Sequence, residues 1–407
     1  MGSKTVCLMI SCALLAWYVH TNYSENYSAK FEQPWRTMII HSLIKISQFM
    51  GTVAENSGLI SYWEFFNILF KWQLLEPISD ENVTVTDAIV NDELVRYFVS
   101  KKKSNELKRA IIYFHGGGIS FSSIALLHYN TFARLAANRL DAVFVGADFR
   151  KFPKYLHPTQ WNDAYTFVKS FLQPENLAKY GVDPNRICFL GDSSGGGTAT
   201  AMTQQIMIDP EITIKPKMQV LIYPGLQMLD TDLPSYRENE FGIMLTKALS
   251  IKLMSQYHTP DESLEQAMKI NQHIPVEYSH LFKFVNWSVL LPERFKKGHV
   301  YNNRIYGSSE MVEKFPGIVD PRINPLLAND SILSLLPLTY ILTCQHDVLR
   351  DDGLMYVSRL RSNGVQVFHE HVDKGFHGNL FYIHWPYNLE LGWKLVDNVF
   401  TWINENL

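Results

Sequence analysis

The sequence is poor in cysteine, nearly balanced in charge and without a glycine-lysine phosphate signature, and each shortage removes a class of protein. Of the four cysteines in 407 residues, Cys7 and Cys12 lie near the start, leaving Cys188 and Cys344 for the body. Two thiols cannot supply a disulfide framework, so the fold must rest on a packed core. A formal charge of −3 excludes the basic footprint of a nucleic-acid binder, and no acidic tract marks a disordered tail. A triple glycine at Gly116, Gly117 and Gly118 is not followed by Gly-Lys-Ser/Thr, which argues against a phosphate loop. No internal repeat, low-complexity stretch or flexible linker interrupts the chain. What remains is 46% hydrophobic and 13% aromatic, ample for a large core and an apolar pocket.

The N-terminus carries Lys4 and then an uncharged run from Thr5 to Val19, shorter than the about 20 apolar residues of a membrane span. It matches the apolar region of a secretory signal, but Trp17, Tyr18 and His20 occupy positions where cleavage needs small residues. The expectation is an uncleaved signal anchor with the body in the lumen of the secretory pathway. Secretion after cleavage is the alternative, and a buried helix the third reading. Five acceptor patterns for N-glycosylation, at Asn22, Asn26, Asn82, Asn286 and Asn329, favour the luminal reading.

Eight β-type runs alternate with helical stretches: 83–90, 94–99, 110–114, 142–147, 187–190, 219–223, 338–344 and 365–371. The first two, joined by Asn91-Asp92, read as a hairpin, and the later apolar runs as buried parallel strands. The fold class is therefore α/β, with a mostly parallel eight-stranded sheet flanked by helices. The reading divides the chain into a leader (1–21), an N-terminal helical cap segment (22–80), a first core part (81–225), a cap insertion (226–333) and a second core part (334–407). The insertion is too long for a loop and must carry helices of its own.

Gly191-Asp-Ser-Ser-Gly195 lies between an apolar run and a helix-forming one. In that setting Gly-x-Ser-x-Gly makes a sharp strand-to-helix turn that presents the central serine, so Ser193 is the candidate nucleophile. Upstream, His115-Gly-Gly-Gly118 ends the third strand. Glycines there let Gly117 and Gly118 N–H groups approach a developing oxyanion, with Gly116 shaping the turn, His115 orienting the loop and Ser194 N–H as a third donor. Serine needs a base oriented by a carboxylate, in the chain order Ser, Asp/Glu, His. Asp347 follows the seventh strand and is the preferred acid. Asp351 is the fallback, because Asp351 and Asp352 sit where helix capping would use them. His377, between Gly375 and Gly378 in a mobile turn after the eighth strand, is the candidate base. His369, His371 and His384 read as strand-face or surface residues, and His369-Glu370-His371 makes a poor zinc site. Neither metal nor cofactor is called for.

Together His115-Gly-Gly-Gly118, Gly-Asp-Ser-Ser-Gly195, Asp347-Val-Leu-Arg-Asp351 and Gly-Phe-His-Gly378 resemble the hormone-sensitive-lipase group of α/β-hydrolases, and within it the arylacetamide deacetylase-like proteins. The likeness also takes in Tyr180-Gly-Val-Asp-Pro184, Tyr223-Pro-Gly225, Phe282-Lys-Phe-Val-Asn-Trp287 and Leu342-Thr-Cys-Gln345. It implies a serine esterase or amidase for small lipophilic acyl substrates, with a Ser193–Asp347–His377 triad and membrane association through the N-terminal segment. It implies two departures as well. Ser120 stands where relatives carry a cysteine that pairs with the position of Cys344, and Asp148-Phe-Arg-Lys-Phe-Pro153 replaces the usual Tyr-Arg-Leu-Ala-Pro. A neutral-lipid or sterol-ester lipase is the alternative activity, and a ligand-binding hydrolase fold without catalysis the alternative of another class.

Overall fold

The computed structural model describes residues 30–301 and 304–407; the leader, Cys7, Cys12, Asn22 and Asn26 lie outside them. Two helices come first, α1 (Pro34–Asn56) and α2 (Tyr62–Lys71). Pro34 opens α1, where its fixed φ suits the first turn. Ser61 caps α2 by accepting the Glu64 N–H at 3.2 Å.

The sheet then runs β1 (Val83–Val90), β2 (Glu93–Ser100), β3 (Lys108–Phe114), β4 (Ala142–Ala147), β5 (Val182–Asp192), β6 (Met218–Ile222), β7 (Leu338–His346) and β8 (Val367–Phe376). Its spatial order is β1-β2-β4-β3-β5-β6-β7-β8. Strand β2 is antiparallel to both neighbours, and the strands from β4 to β8 are parallel. Asn91 (φ 53°) and Asp92 (φ 65°) are both left-handed, as a two-residue turn between right-twisted strands requires.

The central strands are apolar throughout because both faces are covered. In β3, Ala110, Ile112 and Phe114 join one core while Ile111 and Tyr113 join the other. Helices α3 (Leu127–Arg139), α4 (Thr159–Phe171), α5 (Pro174–Tyr180) and α6 (Ser194–Ile208) alternate with the strands. The segment between β6 and β7 carries α7 (Pro234–Glu238), α8 (Lys247–His258), α9 (Glu262–Lys269) and further short turns; α10 (Arg350–Ser362) and α11 (Glu390–Asn406) complete the core.

The insertion is not a detached lid. Leu226, Leu233, Tyr236 and Ile251 belong to the same buried cluster as β3 and α10. The N-terminal helices reach it through Glu55–Lys252 and a 2.6 Å bond from Trp63 Nε1 to Gln256 Oε1. The 148–153 segment meets this junction from below, where buried Phe152 packs edge-on to Trp63 with ring centroids 5.1 Å apart.

Two sequence expectations need correction. Gly375 lies in β8, which continues to Phe376, so it belongs to no mobile turn. A Cβ at Gly375 would come within 2.8 Å of Cys344 Sγ, so the missing side chain lets the strand stay close to β7. Nor do Asp351 and Asp352 cap α10. Asp351 accepts the Ser235 N–H at 2.7 Å, and Asp352 accepts Leu226 N–H and Gln227 Nε2, each at 3.0 Å. The two carboxylates fasten the insertion to the core.

Candidate active site

Parallel strands end on one edge of the sheet, which brings distant loops together. Ser193 follows β5, Asp347 follows β7 and His377 follows β8. At the turn Ser193 has φ 55° and ψ −124°, a strained conformation for a residue with a side chain. Glycines make the turn possible: a Cβ on Gly191 would stand 2.2 Å from Gly195 O, and one on Gly195 2.1 Å from Phe114 O.

Ser193 Oγ lies 2.8 Å from His377 Nε2, and His377 Nδ1 lies 2.8 Å from Asp347 Oδ2. With the Nδ1 proton shared toward the carboxylate, Nε2 is left to accept the serine proton. The other Asp347 oxygen accepts the Leu349 N–H at 2.8 Å, and the Asp347 side chain has no solvent exposure. Asp351, the fallback acid, instead faces Ser235 and Arg350.

The loop after β3 divides into two halves. Gly117 (φ 92°) and Gly118 (φ 61°) line the cavity beside Ser193 and Ser194. Their N–H groups, and that of Ser194 at the start of α6, meet no acceptor among the described residues. His115 and Gly116 sit behind. The His115 ring is buried, packs on Phe149 with centroids 4.9 Å apart, and places Nε2 3.3 Å from Asp148 Oδ1. The Gly116 N–H donates to Asp192 Oδ1 at 2.9 Å.

Asp192 is the residue that sequence reasoning passed over. Its buried carboxylate also accepts from Tyr113 Oη at 2.5 Å and Tyr129 Oη at 3.3 Å. Burial pushes the Asp192 carboxyl above its ordinary value, opposed by hydrogen bonds from Tyr113 and Gly116. The only local signal was its place beside the nucleophile.

A cavity of about 810 Å³ opens above Ser193 and His377. Its walls come from α1 (Leu43, Ile44), α2 (Phe66, Phe70) and α8 (Leu249, Leu253). Leu253 presses on the loop after β3, since a Cβ at Gly118 would stand 2.6 Å from its Cδ2. His384, read as a surface residue, lines this cavity, as does His128, whose burial lowers it to about 3. His369 and His371 lie away from it on β8, sharing the Thr343 hydroxyl at 2.8 and 2.9 Å. Cys188 and Cys344 are both free and buried, and Ser120 Oγ donates to Gly117 O at 3.3 Å. Among the glycosylation candidates, Asn82 and Asn329 are exposed, whereas Asn286 is half-buried and accepts from Ser288 Oγ at 2.7 Å.

A family model described as the alpha/beta hydrolase fold matches residues 111–277 and 301–381. Over its full length the chain is 49% identical to the whole of human (Homo sapiens) arylacetamide deacetylase-like 2. The chain belongs to the arylacetamide deacetylase branch of the α/β-hydrolases. It is a hydrolase. Rabbit (Oryctolagus cuniculus) arylacetamide deacetylase is 48% identical, again over the full length of both chains. Bovine (Bos taurus) neutral cholesterol ester hydrolase 1 is 36% identical over the same extent. Among solved structures, a bacterial heroin esterase superposes with a TM-score of 0.61 at 19% identity, covering 85% of this chain and 91% of its own. A hyperthermophilic esterase from Pyrobaculum calidifontis gives 0.59 at 21% identity, covering 90% and 97%. At these identities the two structures speak for the shared fold.

Proposed function

We propose that the chain is a serine hydrolase that cleaves esters, and amides of the same shape, of small lipophilic acyl groups. The observation that carries the reading is the Ser193–His377–Asp347 line, two contacts of 2.8 Å each, ending beside three N–H groups without acceptors. Attack of Ser193 Oγ on the carbonyl transfers its proton to His377 Nε2. Asp347 holds the imidazole in the required tautomer and stabilises the imidazolium that forms. Negative charge gathers on the former carbonyl oxygen, where the Gly117, Gly118 and Ser194 N–H groups are already oriented; each such donor is worth on the order of 10²–10³ in rate. His377 then returns the proton to the leaving alcohol or amine. Water, activated by the same imidazole, releases the acid from the acyl-enzyme.

No step in this sequence calls for a cofactor. The cavity volume falls within the range that encloses small organic ligands, and its aliphatic and aromatic walls favour lipophilic ones. The names of the deacetylase relatives support this substrate class over cholesterol esters, the substrate in the name of the 36% identical relative. The proposal includes a luminal body held to the endoplasmic reticulum membrane by the Thr5–Val19 run. The exposed Asn82 and Asn329 are its best-placed glycan sites.

Ser193→Ala tests the chemistry. It should abolish labelling by a fluorophosphonate and lower aryl-acetate hydrolysis by a factor on the order of 10⁴–10⁶. Unlabelled wild-type protein would favour a binding module, and undiminished hydrolysis by the variant would remove Ser193 from the mechanism.

A further inference from the structure

The cavity opens through an apolar rim. Leu69, Trp385 and Tyr387 line it and are themselves solvent-exposed, Trp385 at 88%. Around them the protein surface remains apolar. Ile39, Ile46, Phe49, Met50 and Val53 form an exposed stripe along one flank of α1, at the spacing of a single helical face. The neighbouring flank, with Leu43, Ile44 and Ser47, is the cavity wall. Trp72 at the end of α2 is 90% exposed, and Phe241 80%.

Contacts tie the Trp385 and Phe241 segments to α1. Arg36 Nη1 donates to Asn388 O at 3.1 Å, tying α1 to the segment that carries Trp385. Lys45 Nζ donates to Gly242 O at 3.2 Å, tying α1 to Phe241. Glu55 is paired to Lys252, and the stripe itself consists only of the uncharged side chains Ile39, Ile46, Phe49, Met50 and Val53. An uncharged aliphatic and aromatic surface of this extent marks an interaction site rather than ordinary exposure.

We infer that this rim docks on the interface of a lipid bilayer, so that lipophilic substrate enters the cavity from the membrane. Two observations select lipid over a second protein copy. The surface surrounds the cavity mouth, which a partner subunit would close and a fluid lipid surface would supply. The chain is also placed for it: only fourteen residues separate Val19, the end of the apolar leader run, from Pro34 at the start of α1. Fully extended, they reach about 50 Å at most. Exposed Trp and Phe beside aliphatic side chains suit the interfacial zone, where amphipathic faces bury their apolar side. The delivery of substrate rests on the hydrolase reading; the docking does not.

The test uses the full chain in phosphatidylcholine vesicles, with Cys7 and Cys12 changed to serine and single cysteines introduced for a polarity-sensitive fluorophore. Labels at Phe49→Cys, Trp72→Cys and Phe241→Cys should be quenched by doxyl lipids several-fold more than one at Leu107→Cys, an exposed site before β3 at the opposite end of the sheet. Quenching equal to that at Leu107 would overturn the proposal. So would a blue shift that rises with protein concentration without lipid quenching, since a second copy would then cover the face. Phe49→Ser combined with Trp72→Ser should slow hydrolysis of a vesicle-dissolved ester several-fold and leave a water-soluble acetate unaffected; equal rates on the vesicle substrate would overturn entry from the membrane. Failure of the wild type on the water-soluble acetate would strike the hydrolase reading and leave the docking measurement standing.

Discussion

At the scale of the residue, Asp192 joins the candidate nucleophile turn to the loop after β3 through its buried carboxylate. It clamps Gly116 from beneath, and the next two residues carry the N–H groups proposed to hold the oxyanion. It is thus a positioning residue. Asp192→Ala should lower kcat by a factor on the order of 10², the cost of losing about one oxyanion donor, with KM nearly constant. Asp192→Asn retains an oxygen for Gly116 and Tyr113 and should recover most of that loss. Binding of a trifluoromethyl ketone, which forms an anionic tetrahedral adduct with the nucleophile, should weaken in parallel with kcat. Equal losses in both variants, or a loss confined to KM, would remove Asp192 from this role. Ser193, Asp347 and His377 were legible in the sequence because each belongs to a short local pattern in a set order. Asp192 was not, because Tyr113, Gly116 and Tyr129 reach it from β3 and α3, sixty to eighty positions away along the chain.

At the level of elements, the inner strands were readable because burial on both faces leaves an unbroken apolar run; six of the eight strands end within two residues of expectation, while β5 begins five residues earlier and β8 ends five residues later. The carboxylates at the start of α10 were misread as helix caps for a similar reason. Their true partners, Leu226, Gln227 and Ser235, lie in the insertion more than a hundred positions earlier. These bonds have a consequence for stability. Burial, reinforced by the charges of Asp351 and Asp347, raises Asp352 from the ordinary 3.8 to about 7. A carboxyl raised in the folded state keeps its proton where the unfolded chain has released it. Its contribution is therefore fully present below about pH 4 and declines as pH rises toward 7. Asp352→Asn, which cannot ionise, should lose this dependence, so that its melting temperature relative to wild type rises steadily from pH 4 to pH 7. A difference that is constant across this range would rule out the coupling.

For the molecule as a whole, the division between a rigid sheet edge and a composite roof explains what the sequence conveyed. The candidate catalytic groups hang on strand ends, whose order is fixed by topology. The roof is assembled from α1, α2, α8 and the 384–387 segment, which are remote in sequence and joined by scattered contacts such as Trp63–Gln256. The proposed acyl group would sit under that roof, and no local motif reports the roof's lining. The same assembly buries Phe152 against Trp63.

The central claim is that Ser193 carries the acyl group between the two half-reactions. Rapid quenching of the wild-type enzyme during turnover of an aryl acetate, followed by digestion and mass spectrometry, tests it directly. The account predicts a burst of the phenol product and an acetyl group on Ser193. A linear release of phenol with no acetylated peptide, or an acetyl group on a different residue, would contradict it.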